Sequence, residues 1–192
     1  YIDLEEVERL AIENKPKLIW VGYTAYTREF PFEEISRIAD KVGAYLAADI
    51  AHISGLVAAG IHKSPSPFAH IITTTTHKTF RGPRGGIIMV TQKGLDKDPE
   101  LSAKIDKAVF PGLQGGPHDH TTAAIAVALK EMMQPEFKVY AEQIIKNSRA
   151  LAKSLMANGM KVVTNGSDNH MVLIDLTPFG KGKGVFAQDA LD

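Results

Sequence analysis

The run Ala44–His52, AYLAADIAH, decides how this chain is read. It is apolar almost without interruption as far as Asp49, which is the pattern of a strand buried in a parallel sheet. On its N-terminal side, proline and acidic residues from Pro31 open a helix whose apolar face is Phe32, Ile35, Ile38 and Ala39 and which stops near Gly43. Before that helix, KPKLIWVGYTAY (Lys15–Tyr26) is a second compact apolar strand ending in small polar residues. On the other side, a connection rich in glycine and proline leads into HIITTTTH (His70–His77) and then GGIIMVT (Gly85–Thr91). Strand, helix, strand with continuous apolar runs predicts the α/β class, a mostly parallel sheet with helices on both faces. The segment Ile2–Asn14 adds a helix, with Leu4, Val7, Leu10 and Ala11 on one stripe.

The pattern changes after FPGLQGGPHDH (Phe110–His120). Thr121–Asn158 is almost wholly helical, and two helices are expected to meet near Gln134 and Pro135, because proline disfavours helix in the residue before it. MKVVT (Met160–Thr164) and HMVLIDL (His170–Leu176) then read as two short strands of a second unit. The expected division is residues 1–128 and residues 129–192. The chain opens on Tyr1, without an initiator methionine, and GVFAQDALD breaks off in the first turns of a helix after Gly184. An internal piece of a longer protein is expected, with parts of its working site outside it.

Basic and acidic residues balance at 22 each, which argues against nucleic acid or an anionic membrane as the main partner. No cysteine is present, so disulfides and cysteine-ligated metals are excluded. The longest apolar runs, such as LIWVGYTAY, are far shorter than a bilayer requires. The cytoplasm is the expected compartment.

Open α/β sheets bind ligands at the carboxyl ends of their strands, so polar residues that terminate buried strands are examined first. LIWVGYTAY ends at Thr24 and Tyr26, AYLAADIAH at Asp49 and His52, and HIITTTTH at Thr75, His77 and Lys78. Singly, each has an ordinary explanation: Asp49 as a cap, His52 as a hydrogen-bonded structural histidine, Lys78 as a solvated surface group. Together, a carboxylate, a histidine and a lysine at adjacent strand ends are what an aromatic aldehyde cofactor needs. A desolvated lysine is a nucleophilic amine able to form a Schiff base, and a buried carboxylate holds a pyridine nitrogen protonated. Asp49 and His52, with His118 and His120 further on, match no known metal-ligand spacing, so no metal site is expected. RGPRGG (Arg81–Gly86) lacks the spacing of a phosphate-binding Walker loop.

The motifs DIAHISGLVAAG, TTTTHKTFRGPRGG, FPGLQGGP and SDNHMVLIDL resemble, in order and spacing, those of serine hydroxymethyltransferase. The resemblance runs through essentially the whole chain. It implies a pyridoxal 5'-phosphate enzyme of the aspartate-aminotransferase fold (fold type I), with residues 1–128 the C-terminal part of the cofactor-binding large domain. Residues 129–192 would be interdomain helices and the start of a small α+β domain. It further implies that Lys78 forms the internal aldimine, that Asp49 partners the pyridine nitrogen, and that His52 lies near the phenolic oxygen. Thr24 falls where the family usually has a serine that hydrogen-bonds the cofactor. His77 matches a position tied to substrate and reaction specificity, either by tuning proton transfer or by shaping the site. Thr75 and Arg84 match polar positions around the aldimine. Gly115 and Gly116 resemble a glycine pair whose backbone N–H approaches the cofactor phosphate of the neighbouring subunit, which implies a homodimer or higher oligomer.

The reaction implied is the interconversion of serine and glycine, with the one-carbon unit passed to tetrahydrofolate, a step of one-carbon metabolism and glycine biosynthesis. The family's ring-stacking group and part of its phosphate site lie upstream, and its substrate-carboxylate arginine lies downstream. The piece alone is therefore expected to be inactive or severely impaired. Two other readings stand beside this one. One is a fold relative using the same cofactor, such as a threonine aldolase or a glycine acyltransferase. The other is a non-catalytic fragment that does not retain cofactor.

Overall fold

The apolar runs become a four-stranded sheet in the computed structural model, which describes residues 1–192. In chain order the elements are α1 (Leu4–Asn14), β1 (Leu18–Val21), α2 (Phe32–Lys41), β2 (Tyr45–Asp49), α3 (Ser54–Ala58), β3 (Ile71–Thr75) and β4 (Gly86–Val90). Next come α4 (Gln92–Lys97), α5 (Leu101–Lys107) and a kinked segment over Ala108–Leu113 whose backbone is extended at Phe110. The remainder is α6 (Asp119–Met132), α7 (Pro135–Ala157), β5 (Lys161–Val162), β6 (Ile174–Asp175) and α8 (Gly184–Leu191). The break between α6 and α7 falls at the expected Gln134–Pro135. No helix is long and apolar enough to cross a membrane.

Strand order is β1-β2-β3-β4, with the first two pairings parallel and β3–β4 antiparallel. This is the mostly parallel α/β sheet the sequence predicts. Since paired residues project to the same face, the register sorts the side chains. Val21, Leu46, Ala48, Ile72 and Thr74 share one face and all are buried. The opposite face carries Asp49, Thr73 and Thr75, and beside them Trp20 and Ile88 stay 57% and 47% exposed.

The strands are shorter than their apolar runs: Asp49 and Thr75 are the last residues of β2 and β3, and the other residues of interest lie just beyond the strand ends. β1 ends because Gly22 takes φ +154° and passes so close to β2 that a Cβ there would stand 2.5 Å from the Asp49 carbonyl oxygen. β2 ends in a turn closed by Ile53 N–H donating to the Ile50 carbonyl at 2.9 Å. Thr24, His52, His77 and Lys78 therefore lie on loops that leave the strand ends. Three short helices, α3 to α5, occupy stretches with no helical signal strong enough to predict them. The predicted helix α6 begins two residues ahead of the expected Thr121.

The chain divides into two compact units. One contains Ile2–Thr24 and Phe30–Ala141 and holds the whole four-stranded sheet. The other contains Ala25–Glu29 and Glu142–Asp192. In this second unit β5 and β6 fall in MKVVT and HMVLIDL, the runs that read as short strands, and they pair antiparallel. The Arg28 guanidinium is its internal tie, donating to Thr164 Oγ1 at 2.9 Å and to Asp168 Oδ1 at 3.0 Å. Asn169 is fully buried and donates through Nδ2 to the Tyr26 carbonyl at 2.8 Å, which gives the SDNH motif a packing role.

Candidate active site

Parallel pairing brings the carboxyl ends of β1, β2 and β3 side by side, and the loops leaving them enclose a cleft of about 260 Å³. Thr24, Asp49, His52, Thr75 and Lys78, all singled out from the sequence, line it together. Its walls are completed by Trp20, Gly22, Tyr23 and Ala51.

Asp49, the last residue of β2, is half-buried and held by two donors. The Ala51 N–H donates to Oδ1 at 2.9 Å, and the Thr73 hydroxyl donates to Oδ2 at 2.9 Å. His52 follows on the turn. Burial first, and then the positive charge of Lys78, hold its imidazole below the ordinary histidine value, with Asp49 opposing. At neutral pH the ring is uncharged and offers one donor and one acceptor nitrogen.

Lys78 stands on a loop that the chain ties down from several directions. Thr76 is fully buried, its N–H donates to the Gly85 carbonyl at 3.1 Å and its Oγ1 donates to the Pro83 carbonyl at 2.6 Å. These bonds close the loop at its base. Thr79 Oγ1 donates to the His52 carbonyl at 2.9 Å and accepts from the Gly55 N–H at 3.1 Å, so the residue after the lysine is fastened to α3. Arg81 takes a left-handed φ of +62°, and its guanidinium lies 4.6 Å from the ring centre of Tyr140 and 5.4 Å from that of Phe137. A cation over aromatic faces contributes about 0.5–1 kcal/mol at an exposed site. The side chain that must reach a ligand is thereby carried on a backbone whose position is fixed.

Two further predicted residues, His77 and Arg84, lie beside the cleft without lining it. Arg84 is exposed and its Nη1 donates to His77 Nε2 at 3.4 Å. A guanidinium only donates, so Nε2 is the acceptor, and in the neutral tautomer the ring proton sits on Nδ1. That Nδ1 is buried and has no hydrogen-bond partner. Gly115 and Gly116 are exposed and do not line the cleft. Tyr26 lies in Ala25–Glu29, whose backbone bonds go to the Thr164–Asn169 region.

The residues not anticipated are those that hold the predicted ones: Gly22, Ala51, Thr73 and Thr79. Gly22 had a legible signal, a glycine directly after an apolar strand. Thr73 and Thr79 had none, because their partners are set by strand register and by the docking of α3.

Comparison with known sequences points to one family. The family model described as serine hydroxymethyltransferase matches residues 1–192. A serine hydroxymethyltransferase of Sorangium cellulosum is 56% identical over 191 residues, covering 100% of this chain and 43% of the relative. That of Cyanothece sp. is 55% identical over 179 residues, covering 93% of this chain and 41% of the relative. That of Rickettsia prowazekii is 54% identical over 191 residues, covering 100% of this chain and 44% of the relative. The chain thus spans less than half the length of these curated relatives. With the whole sequence matched, and the lysine, aspartate and histidine of the motifs gathered at one set of strand ends, the chain belongs to the serine hydroxymethyltransferase family.

Proposed function

We propose that this chain is the central part of an enzyme that interconverts serine and glycine with pyridoxal 5'-phosphate and passes the one-carbon unit to tetrahydrofolate. The observation that carries the proposal is the convergence of Asp49, His52, Thr75 and Lys78 in one cleft at the ends of adjacent parallel strands.

The donor set suits this cofactor, which presents an aldehyde carbon, a basic ring nitrogen, a phenolic oxygen and a phosphate. Lys78 offers the amine for the aldehyde carbon. Asp49 offers an acceptor that keeps a proton on the ring nitrogen. Uncharged His52 offers a nitrogen for the phenolic oxygen, and the hydroxyls of Thr24 and Thr75 offer further hydrogen bonds. When bound, the cofactor supplies an electron sink for negative charge developing on the amino acid's α-carbon.

The protein's share is orientation and electrostatics. Lys78 is aimed by the fastened loop, and Asp49 by its two donors. His77 shapes the ground beside the lysine and holds a proton at Nδ1, and Arg84 supports it through Nε2. Gly115 and Gly116 offer backbone N–H groups to the phosphate of a neighbouring subunit, so the working form is a homodimer or larger, with sites at the interface. In this reading residues 1–128 belong to the cofactor-binding domain and residues 129–192 lead into the small domain. In this reading the enzyme works in the cytoplasm.

The test is made on the complete enzyme. The purified protein is expected to show the visible absorbance of cofactor joined to a lysine, and Lys78→Ala is expected to lose that band entirely. Serine with tetrahydrofolate is expected to give glycine at a rate at least about 10³-fold above that of Lys78→Ala, the size of loss typical of a deleted covalent catalyst. A complete enzyme without the band, or one active on threonine and inert toward serine with tetrahydrofolate, overturns the proposal.

A further inference from the structure

Asp49 is held from two sides, and one of its holders stands outside the cleft. β2 and β3 pair so that Thr73 is the direct partner of Asp49, with both side chains on the same face of the sheet. Asp49 lines the cleft that contains Lys78 and also a neighbouring apolar groove of about 970 Å³, whereas Thr73 lines the groove and not the cleft. The Thr73 hydroxyl therefore reaches Oδ2 from behind, at 2.9 Å, while the Ala51 N–H holds Oδ1 at 2.9 Å. A carboxylate accepts about four hydrogen bonds. One donor on each oxygen fixes the plane of the group and leaves acceptor capacity toward the cleft.

Thr73 is itself well fixed. The Ile50 N–H donates to its carbonyl at 2.9 Å, and its branched Cβ restricts χ1. The four consecutive threonines then have separate tasks. Thr76 closes the lysine loop, Thr75 lines the cleft, and Thr74 is buried on the other face with its hydroxyl donating to the Thr75 carbonyl at 3.0 Å. Thr73 remains, and its hydroxyl is spent on Asp49.

We propose that Thr73 is a positioning residue: from outside the cleft its hydroxyl sets the orientation in which Asp49 meets the ring nitrogen of the cofactor. This rests on the functional reading above. Supporting groups one step removed from a ligand commonly change its affinity 10–100-fold, and a hydrogen bond to a charged acceptor is among the stronger ones lost by a single substitution.

The experiment compares the complete enzyme with Thr73→Val, which keeps the shape and removes the donor, and Thr73→Ser, which restores the donor. Cofactor is removed and titrated back, and the dissociation constant is read from the visible band. The unfolding midpoint of the cofactor-free protein is read in parallel. Thr73→Val is expected to weaken cofactor binding about tenfold, with Thr73→Ser near the unsubstituted enzyme and all three unfolding midpoints alike. In an Asp49→Ala background, Thr73→Val is expected to add no further loss. Should Thr73→Val not fold, Thr73→Ala takes its place in the same comparison.

Cofactor binding unchanged in Thr73→Val overturns the positioning role and leaves the functional reading intact. So does a Thr73→Ser enzyme as weak as Thr73→Val, or an undiminished Thr73→Val loss in the Asp49→Ala background. An unsubstituted enzyme that binds no cofactor overturns both.

Discussion

Two loops of this chain are assigned to the same cofactor, and they are built in opposite ways. The loop from Thr76 to Gly85 is tied at its base by Thr76, to α3 through Thr79, and to the start of α7 through Arg81. Gly115 and Gly116, in the second loop, are exposed, have ordinary φ angles, and would meet nothing within 4 Å if given a Cβ. The composition of the first loop is explained by packing inside this chain. That of the second is not: glycine costs about 0.5–1 kcal/mol of backbone entropy relative to alanine in regular structure, and here neither conformation nor a neighbour asks for it. An approaching group would account for the bare backbone, and the proposed phosphate of a neighbouring subunit is such a group.

The strongest way to break the contrast is to disturb the tied loop where it meets α3. A Cβ on Gly55 would fall far inside van der Waals contact with the Thr79 carbonyl oxygen, and backbone cannot step aside as a flexible side chain can. Gly55→Ala is expected to lower the stability of the complete enzyme by about 3 kcal/mol, the upper part of the usual range for overpacking. It should also weaken cofactor retention, because the residue displaced is next to Lys78. A denaturant midpoint and cofactor titration equal to those of the unsubstituted enzyme would show that the α3 contact does not fix the lysine.

The same contrast separates what the sequence discloses from what it withholds. AYLAADIAH and HIITTTTH are legible as adjacent buried strands, and parallel topology alone then puts Asp49, His52 and Lys78 at one edge. The strand ends are not legible, because they depend on Gly22 passing close to Asp49 and on Thr76 pairing with Gly85. α3 hides for a similar reason. It has five residues, no side-chain cap and an internal glycine that reads as a breaker, yet that glycine is present so that Thr79 can dock. In α5 only Leu101 is buried, so its sequence carries little apolar periodicity. Arg84, Gly115 and Gly116 are placed by family resemblance alone, and together with His77 they are the predicted site residues that do not line the cleft with Lys78.

A smaller perturbation acts at the foot of the tied region, where β3 begins. His70 is fully buried, its ring Nδ1 accepts the Leu46 N–H at 2.9 Å, and its backbone N–H donates to the Leu46 carbonyl at 2.9 Å. Burial first, then Lys97 and Lys93, hold this imidazole below its ordinary value, and Asp40 opposes them only in part. The folded protein therefore resists a proton that the unfolded chain accepts near pH 6.5, the ordinary histidine value. Stability from this residue is complete above that pH and is lost as pH falls below it toward the lower folded-state value. His70→Asn keeps an acceptor in place without the titration. Its stability is expected to fall less than that of the unsubstituted enzyme between neutral pH and pH 5; identical pH profiles would remove His70 from the account.

The smallest expected change in stability is at the open loop, and it sharpens the comparison most. Gly115→Ala adds a methyl group where nothing lies within 4 Å and where φ is ordinary. The folded chain is not strained, and alanine lowers the conformational freedom of the unfolded one, so the denaturant midpoint of the cofactor-free enzyme is expected to move by no more than about 0.5 kcal/mol. Cofactor affinity is expected to respond quite differently, falling about tenfold if the methyl keeps a phosphate from the backbone N–H groups, a loss typical of one charge-assisted hydrogen bond. Gly55→Ala couples the two measurements, since the same packing holds the fold and aims the lysine. Gly115→Ala should uncouple them. Equal affinity with and without the methyl would mean that the glycines do not face a phosphate, and a large loss of stability would mean that packing does account for them after all.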